Sequence, residues 1–514
     1  MPRFFNTAGP CRPSEHYMLP ARERIADLAP LIAARQYFVI HAARQTGKTT
    51  LLLELAAELE AGGRYRALYC SVETAQGVTD AAAGIGAVLV ALRDAASCHP
   101  LLHERLPAVD DAEWSAALRR LLSGLSAACD RPLVVLIDEV DCLEGPTLLS
   151  LLRQVRQGYI LRDQMPFPHA LALVGMRDVR DWRASLRPER ETLGSASPFN
   201  IASDSLTLRA FTRDEVARLY QQHTDDTGQA FPPEVVDLVW ERTRGQPWLV
   251  NAIAREIVER QLARDHRRAI TVAVAEAAIE ALILRRDAHL DSLIERLREP
   301  RVRRVIEPVL IGEEHAIDLL DDDVRYCLDL GLLADDRGRL TAACPIYAEV
   351  IGRALSWTSQ CALDPALERR WMDGRRLDVD GLLRAFQEFW RDHAESWVAR
   401  YQYQEAAPLL ILMAFLQRVV NGGGRVTREF ASGRRRVDVV VEYAGQRYPL
   451  ELKLWRGPRS RAEGEAQLAA YCRQLGAGDG WLVLFDRRPE RSWEQRLTWE
   501  LVERDGLRLR IVGC

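Results

Sequence analysis

The chain has 514 residues and a net charge of −4, and 48% of its residues are hydrophobic. This composition predicts a globular protein, and the length exceeds what one hydrophobic core organises, so we expect three or four domains. The ten cysteines form no C-x-x-C pair, which argues against a disulfide framework or a cysteine zinc site and favours a cytoplasmic protein with reduced thiols.

The N-terminal segment, residues 1–30, is polar and lacks the apolar stretch of a signal peptide. The longest apolar run, residues 406–416, is too short to span a membrane. We therefore expect a protein without a membrane partner.

A strand, a loop and a helix follow the N-terminal segment. Residues 37–40 predict a buried strand and residues 51–59 predict a helix. The loop between them has the spacing of a phosphate-binding loop, although Ala42 stands where the pattern asks for glycine. We expect its backbone N–H groups to bind ATP, with Lys48 on the β- and γ-phosphates and the Thr49 hydroxyl on Mg²⁺. The nucleotide-binding residues predicted in this loop are Ala42, Ala43, Arg44, Gln45, Thr46, Gly47, Lys48, Thr49 and Thr50.

Residues 65–72 predict a second strand, and residues 73–130 predict a helical region. The five apolar residues 133–137 predict a strand that is buried on both faces and ends at Asp138 and Glu139. An aspartate at this place holds Mg²⁺ in P-loop enzymes. The glutamate beside it is suited to be the general base that activates the attacking water. The alternative is an edge strand that runs into an acidic turn.

Residues 170–178 predict the next core strand. Arg177 at its polar end is placed either to contact a γ-phosphate or to lie in a solvated loop. Three further arginines follow, Arg183, Arg187 and Arg190. Either one of them is an arginine finger that acts in trans, or all three are ordinary surface charges.

A strand over residues 205–208 precedes a capping box from Thr212 to Glu215, which starts a helix. The turn at residues 245–248 is expected to bring a helix start near the nucleotide. The helices of a lid are predicted near residues 213–224, 233–243 and 248–264.

Residues 1–285 resemble the AAA+-related ATPases of the STAND and ORC-like group. The resemblance is carried by loop residues 45–50, the Ile137-Asp138-Glu139 strand end and the Gly245-Gln246-Pro247 turn. It implies an ATPase core over residues 1–205, a helical lid over 206–285 and a winged-helix domain over 286–360, with a hairpin at 333–341. In this group a winged helix either binds DNA or serves as a packing or regulatory module.

The C-terminal part carries a second constellation. After a linker over residues 361–385, we expect a helix over about 403–420 that contains Glu405, and strands over 425–431, 436–443 and 447–455. Side chains alternate along a strand, so Glu451 and Lys453 project from one face. Asp438 lies on the facing strand, where a hairpin of this length brings the two carboxylates together.

Two carboxylates and a main-chain carbonyl suit Mg²⁺, which prefers oxygen ligands. The metal would stabilise a phosphodiester transition state and lower the pKa of bound water, which Lys453 would orient or deprotonate. Lys48 and Lys453 are the two lysines of the chain, whereas the other 67 of its 69 basic residues are arginines. A codon bias explains the excess of arginine, and it makes the two lysines informative because arginine is a poor substitute in both motifs.

This arrangement resembles the PD-(D/E)XK nuclease superfamily over residues 386–514. The resemblance implies that Asp438, Glu451 and Lys453 are catalytic and that Asp438, Glu451 and Glu405 bind the metal. Gln467 and Tyr471 on the next helix have the Q-x-x-x-Y spacing of the branches related to Holliday-junction resolvases. Val437 stands where the superfamily often has proline. The alternatives are a surface hairpin with solvated charges and a nuclease fold that has lost its activity.

From residue 386 to the end the chain has 21 basic and 17 acidic residues, so this part carries +4 and the first 385 residues carry −8. The positive excess favours contact with a polyanion. The arginines expected to contact phosphates near the hairpin are Arg434, Arg435, Arg436, Arg456, Arg459 and Arg461.

Together these patterns predict an α/β protein: a P-loop ATPase with a helical lid, a winged-helix domain and a C-terminal α/β restriction-endonuclease-like domain. The predicted function is an ATP-dependent switch, with ATP and Mg²⁺ as cofactors, that controls cleavage of DNA. By analogy, such a fusion suits defence or mobile elements. One alternative is a nucleotide-regulated signalling or scaffold protein that binds DNA without cleaving it. Another alternative is an ATPase that remodels DNA. The sequence is also compatible with a homo-oligomer.

Overall fold

The computed structural model describes residues 2–104, 113–143, 145–176, 202–285, 288–310, 321–351, 354, 372–373, 376–398, 407–420, 424–427, 439–488 and 490–514. The chain divides into two compact units. The first comprises Met1–Leu282 and Asp329–Gly331, and the second comprises Ile283–Leu328 and Leu332–Cys514.

The first unit is built on a parallel five-stranded sheet. Its strands are β1 (Tyr37–His41), β2 (Arg66–Ser71), β3 (Leu133–Asp138), β4 (Ala170–Gly175) and β5 (Ala202–Thr207). Their order across the sheet is β2-β3-β4-β1-β5, so Tyr37 in the interior strand β1 lies opposite Leu171 of β4 on one side and Ala202 of β5 on the other. Every residue of β1, β3 and β4 is buried, as expected for parallel strands covered on both faces.

Helices cover both faces of this sheet. On one face Leu118 and Leu151 pack with Val135, and on the other Leu51 packs with Phe38. In the region predicted to be helical over residues 73–130, the described residues form two α-helices and two short 3₁₀ turns. The helices of the core are α1 (Ala29–Ala33), α2 (Lys48–Ala61), α3 (Ala81–Ser97), α4 (Trp114–Ala128) and α5 (Gly145–Leu161).

The lid follows β5. It consists of α6 (Arg213–Thr227), α7 (Pro233–Thr243) and α8 (Pro247–Arg255). The capping box predicted at the start of α6 is present: the Thr212 hydroxyl accepts the Glu215 N–H, and the Glu215 carboxylate accepts the Thr212 N–H. The helix predicted over residues 248–264 is divided, because α8 ends at Arg255 and a π-helical turn continues from Glu256 to Gln261.

The next helices are α9 (Val272–Arg285), α10 (Ala288–Arg296), α11 (Pro300–Leu310) and α12 (Asp322–Asp329). The predicted hairpin is present as β6 (Leu333–Asp335) and β7 (Leu340–Ala342). Gly338 in its turn has φ +83°, which explains the glycine there.

The second unit also contains a mixed six-stranded sheet. A short hairpin of β8 (Met372–Asp373) and β9 (Arg376–Leu377) precedes it. The sheet consists of β10 (Gly424–Thr427), β11 (Val439–Tyr443), β12 (Gln446–Leu454), β13 (Asp479–Phe485), β14 (Trp499–Arg504) and β15 (Leu507–Gly513), in the order β10-β11-β12-β13-β15-β14. β12 pairs antiparallel with β11 and parallel with β13.

Helices cover both faces of the second sheet. They are α13 (Val379–Val398), α14 (Ala407–Val420) and α15 (Pro458–Leu475), and a short α16 (Trp493–Arg496) precedes β14. Phe386 of α13 and Phe415 of α14 pack on one face beside Phe485, whereas Leu468 of α15 packs on the other beside Leu482. None of the helices in the described ranges is both long enough and apolar enough to cross a membrane.

Candidate functional sites

The loop between β1 and α2 has the geometry that a phosphate-binding loop requires. α2 begins at Lys48, directly after Gly47 with φ +96°, and Gln45 also has a positive φ of +58°. A side chain at position 47 is disfavoured for two reasons. The left-handed backbone strains any residue with a Cβ, and a Cβ there would lie 2.9 Å from Nη2 of Arg24.

Lys48 is held within the loop. Its side chain is buried, and Nζ donates hydrogen bonds to the carbonyl oxygens of Ala42 (3.0 Å) and Ala43 (3.1 Å). Burial lowers the pKa of its ammonium group, while the negative charges of Glu139 and two nearby aspartates oppose this shift. The lysine is therefore a buried cation at the place where the loop would receive an anion.

Asp138 at the end of β3 meets the start of α2. The Thr49 hydroxyl donates to Asp138 Oδ2 at 2.7 Å, and the Tyr69 hydroxyl donates to the same oxygen at 3.4 Å. Burial raises the pKa of the Asp138 carboxyl, although the Thr49 hydrogen bond and the Lys48 charge oppose this. The hydroxyl and carboxylate oxygens are hard ligands that fit Mg²⁺.

Within the described part of the chain, no group of three or more His, Cys, Asp or Glu side chains is arranged to hold a metal. A Mg²⁺ ion at Thr49 and Asp138 would therefore need further oxygen ligands from phosphates and water. That is the usual manner of Mg²⁺ binding in phosphate-transfer sites.

Glu139 has a left-handed backbone, with φ +59° and ψ +33°. Its N–H donates to Asp138 Oδ1 at 2.9 Å, and burial raises the pKa of its carboxyl. A non-glycine residue in this conformation is strained, and such strain is found disproportionately at active sites. The 3₁₀ turn Val140–Cys142 follows, in which Asp141 Oδ1 accepts the Met176 N–H at 3.1 Å.

A cavity of about 260 Å³ opens onto the loop. Its lining includes Lys48, Thr49 and Glu139. The N-terminal segment and the lid also contribute to the lining, in particular through Asn6, Thr7, Ala8, Gly9, Pro10, Cys11, Tyr17, Met18, Leu19, Arg24, Phe211, Pro247, Trp248 and Asn251. The N-terminal contribution was absent from our sequence prediction, since no motif in these residues indicates that they return to the loop.

The N-terminal segment joins the lid to the start of α2. The Cys11 N–H donates to the Thr50 hydroxyl at 3.0 Å. On the lid side, Trp248 Nε1 donates to the Thr7 carbonyl oxygen at 2.9 Å, and Arg255 Nη1 donates to the Thr7 hydroxyl at 2.6 Å. The turn at residues 245–248 lies beside the loop, as expected. Arg177 and the three arginines after it lie outside the described residues.

A second candidate site lies on β12. Lys453 Nζ is 3.0 Å from Glu451 Oε1, and Glu451 is only 1% exposed. The two residues share the face covered by α15, where a Cβ on Gly464 would lie 3.4 Å from Lys453 Cγ. Gln467 of the same helix has a buried Oε1 without a hydrogen-bond partner among the described residues, and Tyr471 is buried.

The other predicted residues of this site, Asp438 and Glu405, lie outside the described residues. Two of the arginines expected to contact phosphates are neutralised by carboxylates within the unit. Arg459 pairs with Glu463 at 2.9 Å, and Arg461 pairs with Glu465 at 2.8 Å and with Glu500 at 2.6 Å. Contact of these arginines with phosphates stays a prediction.

The first unit has the architecture of a P-loop ATPase: a parallel sheet with a phosphate-binding loop after the interior strand β1 and an acidic strand end beside that loop. No protein-family model matches the chain, and no curated protein matches it. Solved structures similar to the chain include a Walker-type ATPase of Pyrococcus abyssi, with 14% identity, 68% of this chain and 99% of that chain covered, and a TM-score of 0.47.

The RuvB Holliday junction branch migration motor of Thermotoga maritima has 16% identity, with 61% of this chain and 87% of that chain covered, and a TM-score of 0.34. Domain III of the replication initiation protein DnaA from the same organism has 14% identity, with 53% and 98% covered, and a TM-score of 0.32. Because these sequence identities and TM-scores are low, the P-loop architecture is assigned from the strand order and the loop geometry of the chain itself.

Proposed function

We propose that the first unit binds and hydrolyses ATP with Mg²⁺. The hydrogen bond between Thr49 and Asp138 is the observation that carries this proposal, because it places a hydroxyl and a carboxylate side by side at the phosphate-binding loop. Lys48 and Glu139 line the same cavity. Nucleotide binding then requires no new charged group, since the loop, the lysine and the two acids are already assembled.

Each residue has a role in this proposal. The loop N–H groups and the N-terminus of α2 bind the phosphates. Lys48 would exchange its hydrogen bonds to Ala42 and Ala43 for phosphate oxygens, and Thr49 and Asp138 would hold Mg²⁺. When bound, Mg²⁺ neutralises charge that develops on the phosphate oxygens. Glu139 accepts a proton from the attacking water, for which a raised pKa is favourable.

We further propose that the second unit is a Mg²⁺-dependent nuclease that acts on DNA. The support is the buried carboxylate of Glu451 beside the ammonium of Lys453, on a strand face that α15 covers. β11 begins at Val439, which pairs with Leu450. Asp438 and Glu451 are the next residues in sequence beyond this pair, and a site shared by their carboxylates is part of the proposal.

In this proposal Asp438, Glu451 and Glu405 would hold the metal. Lys453 would orient the water or neutralise charge on the phosphodiester. ATP binding in the first unit controls the cleavage. The proposal includes DNA as the partner, and it competes with the two non-cleaving alternatives, a DNA-binding scaffold and a DNA-remodelling ATPase.

The test uses the full chain with supercoiled plasmid, single-stranded DNA and RNA, with Mg²⁺ and with or without ATP. The variants are Lys48→Ala, Lys453→Ala and, as a matched control on the outer surface of α15, Glu463→Gln. We expect DNA cleavage that is lost in Lys453→Ala, altered by ATP only when Lys48 is present, and retained in Glu463→Gln.

Cleavage that is indifferent to both ATP and Lys48 would contradict nucleotide control. Wild-type protein that binds DNA in a gel-shift assay but cuts neither form of DNA would favour the scaffold. ATP turnover that DNA stimulates, and that survives Glu451→Gln, would favour the remodelling ATPase. Cutting confined to RNA would correct the substrate.

A further inference from the structure

Arg24 is a buried arginine at the nucleotide cavity. It ends the 3₁₀ helix Ala21–Arg24, is 4% exposed and lines the cavity beside the phosphate-binding loop. Neither the loop motif nor the acidic strand end indicates a role for it. Its neighbour Arg22 on the same turn is exposed and forms an ion pair with Glu58.

One side of the Arg24 guanidinium contacts the phosphate-binding loop. Nη2 donates to the Thr46 carbonyl oxygen at 2.8 Å. The peptide that joins Thr46 to Gly47 is planar, so fixing this carbonyl also fixes the direction of the Gly47 N–H. That N–H is one of the donors a phosphate would use.

The other side contacts the segment that leads into the lid. Nη1 donates to the Arg209 carbonyl oxygen at 3.0 Å, and the Arg209 N–H donates back to the Arg24 carbonyl oxygen at 3.0 Å. The guanidinium also lies 4.8 Å from the centre of the Phe211 ring. The Phe211 N–H in turn donates to the Gly245 carbonyl oxygen at 2.8 Å, directly before α8.

The contacts form a closed ring. Gln246, which caps α8 through a hydrogen bond from the Leu249 N–H, directs its Nε2 to the Arg44 carbonyl oxygen at 3.5 Å. The path therefore runs from the loop through Arg24 to residues 209–211, which precede α6 and are called the lid hinge. From the start of α8 it returns to the loop. A displacement of the Thr46 carbonyl on phosphate binding would be transmitted to the N-terminal end of α8.

The charge of Arg24 has no counter-charge in direct contact within the part of the chain that the structure describes. Among the described residues no carboxylate lies within ion-pair distance of it, and its hydrogen bonds go to carbonyl oxygens. Burial lowers its pKa to about 10, with Glu215 and Glu54 acting against the shift from farther away. A buried cation without an anion is costly, and the phosphates of a nucleotide in this cavity would supply the missing anion.

We propose that Arg24 is a positioning residue that holds the phosphate-binding loop in its anion-binding form and couples phosphate occupancy to the lid. The proposal rests on the proposed nucleotide binding. The ligand is identified by its phosphates. The contribution of Arg24 to nucleotide affinity must grow with the number of phosphates and be small for a nucleoside monophosphate.

The test compares wild type with Arg24→Met, Arg24→Lys and the control Arg22→Gln in the full chain. Isothermal titration gives Kd for ATP, ADP and AMP. We expect Arg24→Met to raise Kd for ATP and ADP by at least about tenfold and Kd for AMP by less than about threefold, because a charge-assisted interaction is lost only where phosphates occupy the loop. Arg24→Lys should recover part of the loss, and Arg22→Gln should match wild type.

Hydrogen exchange of the α8 amides, measured at saturating ADP, tests the coupling between phosphate occupancy and the lid independently of nucleotide affinity. Wild type and Arg24→Lys should gain protection, and Arg24→Met should not. Unchanged affinity in Arg24→Met, or an equal loss for AMP and ATP with a lowered Tm, would overturn the proposal by leaving Arg24 without a role or with a packing role only. A wild-type chain that binds none of the three nucleotides would refute nucleotide binding itself.

Discussion

The Thr49 hydroxyl donates a 2.7 Å hydrogen bond to Asp138 Oδ2, and so connects the first turn of α2 to the end of β3. The two residues are 89 positions apart in the sequence. They meet because parallel strands bring their carboxyl ends to one edge of the sheet, where the loop after β1 also lies. This edge is the place at which the charges of the proposed nucleotide site converge.

The Thr49 hydroxyl is expected to be essential for the use of Mg²⁺. Thr49→Val keeps the shape of the side chain but removes the hydroxyl, so Asp138 loses its partner and the metal loses a ligand. We expect the apparent Mg²⁺ affinity in ATP hydrolysis to fall by about 10–100-fold. Thr49→Ser keeps the hydroxyl and is the control. Equal Mg²⁺ titrations for the two variants would contradict the assignment.

Glu139→Gln should separate binding from hydrolysis. The amide keeps the size of the side chain but cannot accept the proton of the attacking water. We expect kcat to fall by about 10²–10⁴-fold, with ATP affinity close to wild type. Single-turnover hydrolysis and nucleotide titration measure the two quantities. A parallel loss of affinity would indicate that Glu139 holds the metal rather than acting as a base.

The pH dependence of hydrolysis should show the burial of Glu139. Its carboxyl has a raised pKa, so it stays protonated to higher pH than an exposed glutamate. The base must be deprotonated, so kcat should decline as pH falls while still above the ordinary glutamate pKa of about 4.3. A profile that stays flat down to that value, with intact folding by circular dichroism, would exclude Glu139 as the base.

Local motifs in the sequence predicted local structure around the candidate site, whereas long-range contacts were not predicted. The loop, the acidic end of β3 and the capping box at Thr212 follow from spacing over a few residues, and each is present. The approach of Thr7 and Arg24 to the loop depends on contacts with the lid more than 180 positions away, such as that between Arg24 and Arg209. The N-terminal segment has no periodic sequence pattern that would indicate those contacts.

The second unit shows the same division. The alternation along β12 correctly put Glu451 and Lys453 on one face, because strand geometry is local. The pairing of Arg459 and Arg461 with acidic residues was missed, although an i, i+4 spacing in the sequence of α15 contains the signal. Arg461 also meets Glu500, a contact that depends on how the chain returns to the sheet.

Glu215 should make the lid sensitive to acid. Its carboxylate accepts hydrogen bonds from Arg209 and from the Thr212 N–H, and these, with the Arg209 contact foremost, lower its pKa to about 2. A group whose pKa is lower in the folded state stabilises the fold above its unfolded pKa of about 4.3. This contribution is lost as pH falls from there towards 2.

Glu215→Gln tests that sign, since glutamine can still complete a capping box but carries no charge. At pH 7 we expect the variant to lose about 1–2 kcal/mol, given that Arg209 is partly exposed and screened. The difference from wild type should shrink below about pH 4.5. Asp214→Asn, an exposed neighbour on the same turn, is the control. A pH-independent difference would assign the loss to altered packing instead of charge.

Two lid glycines separate backbone strain from steric contact. Gly228 ends α6 with φ +75°, and Gly245 precedes α8 with φ +76°. A Cβ on Gly228 would meet nothing within 4 Å, whereas a Cβ on Gly245 would lie 1.9 Å from the Phe211 carbonyl oxygen. Both alanine variants therefore incur the cost of a left-handed backbone, about 1–2 kcal/mol. Only Gly245→Ala must also displace the hinge that Arg24 contacts.

We expect Gly245→Ala to destabilise the lid by at least about 2 kcal/mol more than Gly228→Ala, because a main-chain oxygen cannot turn aside as a side chain can. Since the chain has two units, hydrogen exchange of the amides in α6 to α8 is a better measure than a single global Tm. The Gly245 variant should also bind ADP more weakly than the Gly228 variant, because its turn faces the loop. Equal protection and equal affinity in the two variants would show that the approach of Gly245 to Phe211 contributes nothing to the position of the lid.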